Sequence, residues 1–468
     1  MRRCLLPPAC LLPLAALLPG CAEDEPFARA YQAADLSETI GGAKALARGG
    51  DYILENDRLR VAILGPRVSF GPHTSGGSLV DADLQRNDDR YLHGNGNDRL
   101  AEIFSTVNMN VGRVHDDAGT VAIVADGSDG GAAIVCVEGP YDPFLTLLGG
   151  LWPLVNGPDF RMRTDYILEP GSPAVRMRTM ATIGQGTTGC EGTISDDVPA
   201  ATPSDESLPV IEYAMETGLA FGDFYLQGGS VDVFAADIGF DEEGYVYELT
   251  LEGANTFQDP IPTDYIAGTA DGVSYGLMAD QGRLFVPMFT SSQTIAVGAG
   301  VTGDPDLDGR FPDGSAWRYD RWFAVGQGDV GSVVDSLLEA RGDAVGRIEG
   351  HVVEAGSGVS LSGVHVFAYR PGADLPWLEW TTDIGDDPVL DGSFGGSLPP
   401  GDWELVVYGE GRPVGTRLPV TVAQGQTVEL VLESPQPGSV QFTVRDGTGL
   451  VVPAKVSFFR ADDQDDVT

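Results

Sequence analysis

Residues 160 to 183 read FRMRTDYILEPGSPAVRMRTMATI, and Arg161, Arg163, Arg176 and Arg178 recur at alternate positions around Pro170-Gly171-Ser172-Pro173. Alternate residues of a strand share one face. A hairpin folded about those four turn residues pairs Leu168 with Pro173, Arg163 with Arg178 and Asp165 with Arg176. Like charges placed directly opposite each other destabilise a sheet. These guanidiniums therefore want an anion. Two sources fit: neighbouring Asp or Glu, or a carboxylated or sulfated sugar held by bidentate hydrogen bonds. The reverse face carries Phe160, Met162, Tyr166, Val175 and Met177, which suits a core.

Other spacings suggest other chemistry. Asp304, Asp306 and Asp308 alternate and are closed by Gly309. Carboxylates so spaced can wrap Ca2+, although Ser315 stands where a bidentate Glu belongs and Pro312 interrupts the loop. A solvated Asp-rich turn is the competing reading. The histidines are His73, His93, His115, His351 and His365, and none forms H-x-H or H-E-x-x-H. Gly272-Val273-Ser274-Tyr275-Gly276 has the spacing of a nucleophile elbow, but that turn needs a helix after it. Here "YGLMA" follows and reads as a strand. Gly298 to Gly303 matches G-x-G-x-x-G, but "DPDLDGRFPDG" cannot form the helix that a dinucleotide's pyrophosphate requires.

The 468 residues carry 69 acidic and 28 basic side chains, for a net charge of −41, and Lys44 and Lys455 are the sole lysines. Such a surface repels nucleic acid and anionic lipid. The 63 glycines and 31 prolines, with 42% hydrophobic residues, suit short strands joined by many turns. At the N-terminus, Arg2 and Arg3 precede a short apolar run from Cys4 to Leu18, broken by Pro7, Pro8 and Pro13. That is too short for a membrane span and has the layout of a secretory signal. Its end, Leu18-Pro19-Gly20-Cys21, resembles a bacterial lipobox. The resemblance implies cleavage before Cys21, a diacylglyceryl group on its sulfur and, with Ala22 following, an outer-membrane address. The competing reading is an ordinary cleaved signal. Cys136 and Cys190 then remain in an oxidising setting, either as one disulfide or as two separate buried thiols.

The elements that must position these residues are strands. Leu59, Val61 and Ile63 alternate with Arg58, Arg60 and Ala62, and Asn56-Asp57 reads as a hairpin turn. Further strands are expected at 210 to 215, 231 to 235, 245 to 251, 274 to 279 and 283 to 289, and a solvated loop at 195 to 209. One helix stands out over 329 to 342, where Val333, Val334, Leu337 and Leu338 recur at helical spacing before Gly342.

From residue 346 the sequence resembles the carboxypeptidase regulatory-like family, a transthyretin-like β-sandwich. The residues that carry this are Gly350 and Val352, Gly363-Val364, Asp391-Gly392-Ser393-Phe394 and Leu398-Pro399-Pro400-Gly401-Asp402-Trp403. A second, incomplete copy opens at Gly438, with Val440, Phe442 and Val444 alternating. "RWFAVGQGDVGSVVDSLLEARGDAVGRIEG" followed by such repeats is similar to the non-catalytic front of exported metallohydrolases of the polymerase-and-histidinol-phosphatase type. "LENDRLRVAI" and "GGSLVDADL" resemble the opening of a galactose-mutarotase-type supersandwich, which implies a site where His73 and His115 meet a carboxylate.

The expected fold is therefore all-β. Residues 1–20 form a signal, 21–46 a tether, 47–345 a large β-sandwich, 346–434 the regulatory-like sandwich and 435–468 the incomplete repeat. The favoured function is non-catalytic: binding of carbohydrate or of a cell-surface partner, by a protein held to the membrane through lipid. The alternatives are a mutarotase- or polysaccharide-lyase-like enzyme using His73 or His115, and the front of a metallohydrolase whose metal domain is not in this sequence. No cofactor other than Ca2+ is implied.

Overall fold

The computed structural model describes residues 25–69, 75–86, 88–108, 110–143, 159–184, 186, 189–201, 218–226, 231–240, 261–290, 294–302, 312–385, 389–438 and 441–455. The protein is almost entirely β. Two antiparallel sheets face each other in the large domain. The first runs in the order Ala28–Gln32, Tyr52–Asn56, Leu59–Ile63, Leu79–Leu84, Glu102–Val107, Gly218–Leu226, Thr294–Thr302, Leu284–Thr290 and Ile261–Thr263. The second runs Thr120–Asp126, Ala133–Pro143, Phe160–Leu168, Ala174–Ile183, Ala316–Gly326, Val273–Ala279, Ile266–Ala270, Asp232–Ala235 and Gly239–Phe240. Asn110–Gly112 pairs with a strand of each and makes the corner. Val61, Ile63, Ile103 and Phe221 from one sheet meet Val135, Tyr166, Met177 and Phe323 from the other. Period-2 alternation over long antiparallel strands puts these side chains in the single layer between the sheets.

The expected tether is part of this body. Ala28–Gln32 pairs with Tyr52–Asn56 as an edge strand. Ala33, Ile40 and Ala47 then cover Ile53, Ala62, Leu64 and Val80 on the outer face of the first sheet. This is why Ala62, expected to face outward, is fully buried. A polar composition with scattered small apolar residues is enough to cap a sheet face without any helical or strand periodicity.

The helix forms over Val330–Arg341. The Asp329 side chain accepts from the Ser332 amide, and Gly342 takes the left-handed conformation, φ +74°, that ends it. Val333 and Leu337 lie over Gly276 on the outer face of the second sheet, where a Cβ would approach Leu337 Cδ1 to 2.8 Å.

Residues 346–434 form a second sandwich. Ser393–Leu398, Gly346–Glu354 and Thr427–Ser434 make one sheet, the last pair parallel. Leu378–Thr381, His365–Tyr369, Gly401–Tyr408 and Leu418–Val422 make the other. Trp403, Leu405 and Val407 point inward after the Pro399-Pro400-Gly401 turn, as their alternation requires. In the incomplete repeat, the described residues contain one isolated bridge, Arg445 to Val451, and no strand. Phe442 is 52% exposed there. Val440 lies outside the described residues.

Candidate functional site

The arginine hairpin forms, with a register two residues from the expected one. Arg178 lies opposite Asp165, Arg163 opposite Met180 and Arg161 opposite Thr182. The wider turn removes the like-charge pair. Each guanidinium takes a carboxylate of the chain. Arg161 is bidentate to Glu138 at 2.5 and 2.9 Å. Arg163 is bidentate to Asp165 at 2.8 and 3.0 Å. Arg178 donates to Asp320 at 2.7 Å and Asp196 at 2.6 Å. Arg176 lies 5.6 Å over the Trp322 ring, with Asp320 at 3.4 Å. An anionic sugar on these four residues is thus displaced by the chain's own carboxylates.

What these arginines hold is the segment 189–201. Cys136 and Cys190 form a disulfide, with Cα atoms 5.8 Å apart. Beyond it, Arg163 donates to the Gly189 and Gly192 carbonyls, and Arg178 to that of Ile194. Arg318 donates to Val198 O at 2.9 Å. Residues 195–201, expected as part of a solvated loop, are mostly exposed, and the loop is tied at its far end to Arg318 of the second sheet. The signal for this attachment was Cys190 just before it.

Of the paired histidines, His73 lies outside the described residues. His115 is half-buried with its Nδ1 unbonded. Asp304, Asp306 and Asp308 also lie outside the described residues, as does Cys21. Among the described residues no three His, Cys, Asp or Glu converge as metal ligands. Ser274 sits inside the strand Val273–Ala279, fully buried and paired opposite Gly326, so it is no nucleophile elbow. Gly298–Thr302 likewise lie within a strand rather than at a strand-to-helix turn.

A deep concavity lies at the junction of the two sandwiches. A cavity of about 1020 Å³ is walled by Asp329 and Asp335 of the helix, by Arg347 and His351 of the second sandwich, and by Glu429. A second, of about 670 Å³, continues it onto the large domain past Arg86, Tyr91 and Asn97. The two share Gln327, Asp383 and Ile384, so they form one groove. Its walls are held from behind. Asp83 grips Arg86 at 2.9 and 3.1 Å, the Gly272 carbonyl accepts from Arg86 at 2.6 Å, and the guanidinium lies 4.6 Å from the Tyr91 ring centre. Asn97 donates to Asp271 O at 2.7 Å. Asp383 accepts from the Asp391, Gly392 and Ser393 amides, and these hold its carboxyl below the usual range despite some burial. Asp335 accepts from the Ser397 amide at 2.5 Å, yet burial raises its carboxyl. Sequence reasoning missed this groove because its residues come from six separated segments.

No protein-family model and no curated protein matches the sequence. Among solved structures, it is similar to an α-mannosidase from Enterococcus faecalis V583, with 10% identity and a TM-score of 0.32, over 62% of this chain and 31% of that one. It is also similar to galactose 1-epimerase from Lactobacillus acidophilus NCFM, with 9% identity and a TM-score of 0.28, over 65% and 99%. A third is GBS52, a minor pilin of Streptococcus agalactiae, with 14% identity and a TM-score of 0.18, over 54% and 96%. At these scores the likenesses carry no functional weight.

Proposed function

We propose that this chain is a non-catalytic carbohydrate-binding protein, held at the outer membrane by lipid on Cys21. The observation that carries the binding role is the groove across the domain junction. It is larger than a typical small-molecule site and open along its length, which suits an extended ligand. Its walls present planar amide, carboxylate and guanidinium groups already fixed by second partners. Such groups meet sugar hydroxyls in pairs, and preorganisation lowers the entropic cost of binding. Tyr91 and Ile384 supply apolar surface for C–H faces. With a net charge of −41, the chain disfavours acidic polysaccharides, so the ligand is a neutral glycan or an amino sugar.

The test is a glycan array probed with residues 22–468, followed by titration of the best ligand. Tyr91→Ala is expected to weaken binding roughly tenfold, the scale of one lost aromatic contact. Retention of no glycan would sink the binding reading. Turnover of a retained glycan would move the assignment to the enzyme reading on His73 or His115. The anchor is tested separately: Cys21→Ser should move the protein out of the membrane fraction, since acyl chains supply such anchoring at ~0.8 kcal/mol per buried CH₂.

A further inference from the structure

The floor of the groove contains a second arrangement, independent of what the groove binds. Asp329 ends the large domain's last strand-to-helix turn. Glu379 lies on the strand Leu378–Thr381 of the second sandwich. Their side chains cross the junction in opposite directions. Asp329 Oδ1 accepts from its own helix at Ser332 N, 2.9 Å, while Oδ2 accepts from Thr381 N at 3.2 Å across the junction. Glu379 Oε2 accepts from Val330 N at 3.3 Å, the first turn of that helix. Its Oε1 accepts from Thr381 Oγ1 and meets His365 Nδ1, both at 2.7 Å. Asp329 is 2% exposed and Glu379 1%.

Two carboxylates this deeply buried, each accepting from the other's element across one junction, cannot both carry full charge without large cost. Burial first, and then the Glu379 charge, push the Asp329 carboxyl up to about 7. The helix amides, the Thr381 amide and His365 favour the anions but do not cancel the pair. Among the described residues, the other charged or titratable groups facing this floor are Asp335 of the helix, Arg347, Glu349 and His351 of the strand Gly346–Glu354, Asp383 of the adjoining loop and Glu429 of the strand Thr427–Ser434. Arg347 is taken up by Asp335 at 3.5 Å and Glu349 at 3.1 Å. Among the described residues, His365, 40% exposed, is the one cationic candidate bonded to the pair.

We propose that docking of the second sandwich on the helix is a proton-held latch. A proton on the Asp329 carboxyl, buried beside Glu379, lets strand Leu378–Thr381 close on the helix N-terminus, and its loss loosens that contact and widens the groove. The sign follows from the direction of the shift. The docked state holds the proton more tightly than the undocked one, so docking is fully favoured below the ordinary carboxylate range. That advantage is lost as pH rises through about 7.

The test is hydrogen exchange on the full chain at pH 5.5 and pH 8.5, without ligand. Rates are corrected for the intrinsic pH dependence of exchange and referenced to the strand Phe160–Leu168. Between those two values, linkage gives a roughly 30-fold stronger docking at the lower pH. Peptides over Val330–Arg341 and Leu378–Thr381 should gain protection of that order at pH 5.5, while the reference strand should not. Asp329→Asn keeps an acceptor for Ser332 N and removes the titrating group, so the difference should shrink to within about twofold. Glu379→Gln removes the second cause of the shift and leaves the burial of Asp329, so it should narrow the difference without abolishing it, which keeps the test open if the first variant folds poorly. Equal protection at both pH values in the native chain, or an unchanged difference in both variants, would overturn the latch. Neither outcome bears on whether the groove binds glycan.

Discussion

Burial of single carboxylates governs how this acidic protein responds to pH. Asp81 and Asp98 are fully buried beneath the N-terminal segment. The Leu46 and Ala47 amides donate to Asp81, and the Ala82 and Leu100 amides to Asp98. Burial outweighs these bonds. It pushes Asp81 up to about 6 and, with the Asp81 charge, Asp98 well above the usual range. A raised carboxyl stabilises the fold fully below its unfolded value near 4 and loses that contribution as pH rises through its folded value. For Asp81 alone this is worth roughly 3 kcal/mol. Exposed turn carboxylates such as Asp126 and Asp446 are lowered by Ser128 and Thr448, and so act oppositely, losing their contribution only as pH falls through their folded values. The melting temperature should therefore be higher at pH 5 than at pH 8, and Asp98→Asn should flatten the difference. A melting temperature that rises from pH 5 to pH 8 would contradict the buried-acid account.

At the scale of elements, the helix Val330–Arg341 is the joint between the two sandwiches, and Gly331 is what lets it fit. A Cβ on Gly331 would stand 2.0 Å from Trp380 Cδ1, and Trp380 is itself 1% exposed and cannot retreat. Helix propensity alone favours Ala over Gly by about 1 kcal/mol. Overpacking costs typically 1–3 kcal/mol and more when the obstacle is rigid. Gly331→Ala should therefore destabilise the protein by about 1–3 kcal/mol in urea unfolding, against its propensity. A stabilised variant would show that Trp380 has room to move. The helix itself was legible, with Asp329 and Gly342 marking its ends. That its apolar stripe serves two domains at once was not, because periodicity shows a buried face but not its partner.

For the whole molecule, the two sandwiches share one core. Phe234, Tyr265 and Met278 of the large domain join Val333 and Leu337 of the helix and Ile348, Trp377 and Trp380 of the second sandwich in one apolar cluster. Polar ties reinforce it: Trp377 Nε1 donates to Asp264 at 2.7 Å, and Arg370 to the same carboxylate at 2.8 Å. Calorimetry at pH 5 should show one cooperative transition. A separate transition for residues 346–434, seen also when that fragment is made alone, would show that the boundary at 345 divides two independent bodies.

What the sequence determined by itself is what local rules encode. The all-β class, the helix and its caps, the inward alternation of Trp403, Leu405 and Val407 and the apolar face of the arginine hairpin all follow from periodicity and turn chemistry over a few residues. What the tertiary structure decided are the pairings between distant segments. The hairpin register moved by two because the turn is wider than its Pro-Gly-Ser-Pro core. The arginines found Glu138, Asp196 and Asp320, and Cys136 found Cys190 across 54 residues. Asp329 met Glu379 and the groove took shape around them. In a chain with 69 carboxylates, charge alone cannot say which acid neutralises which arginine. Only the packing of the sheets brings particular partners within hydrogen-bond reach, and only burial turns some of those acids into groups that hold a proton near neutral pH.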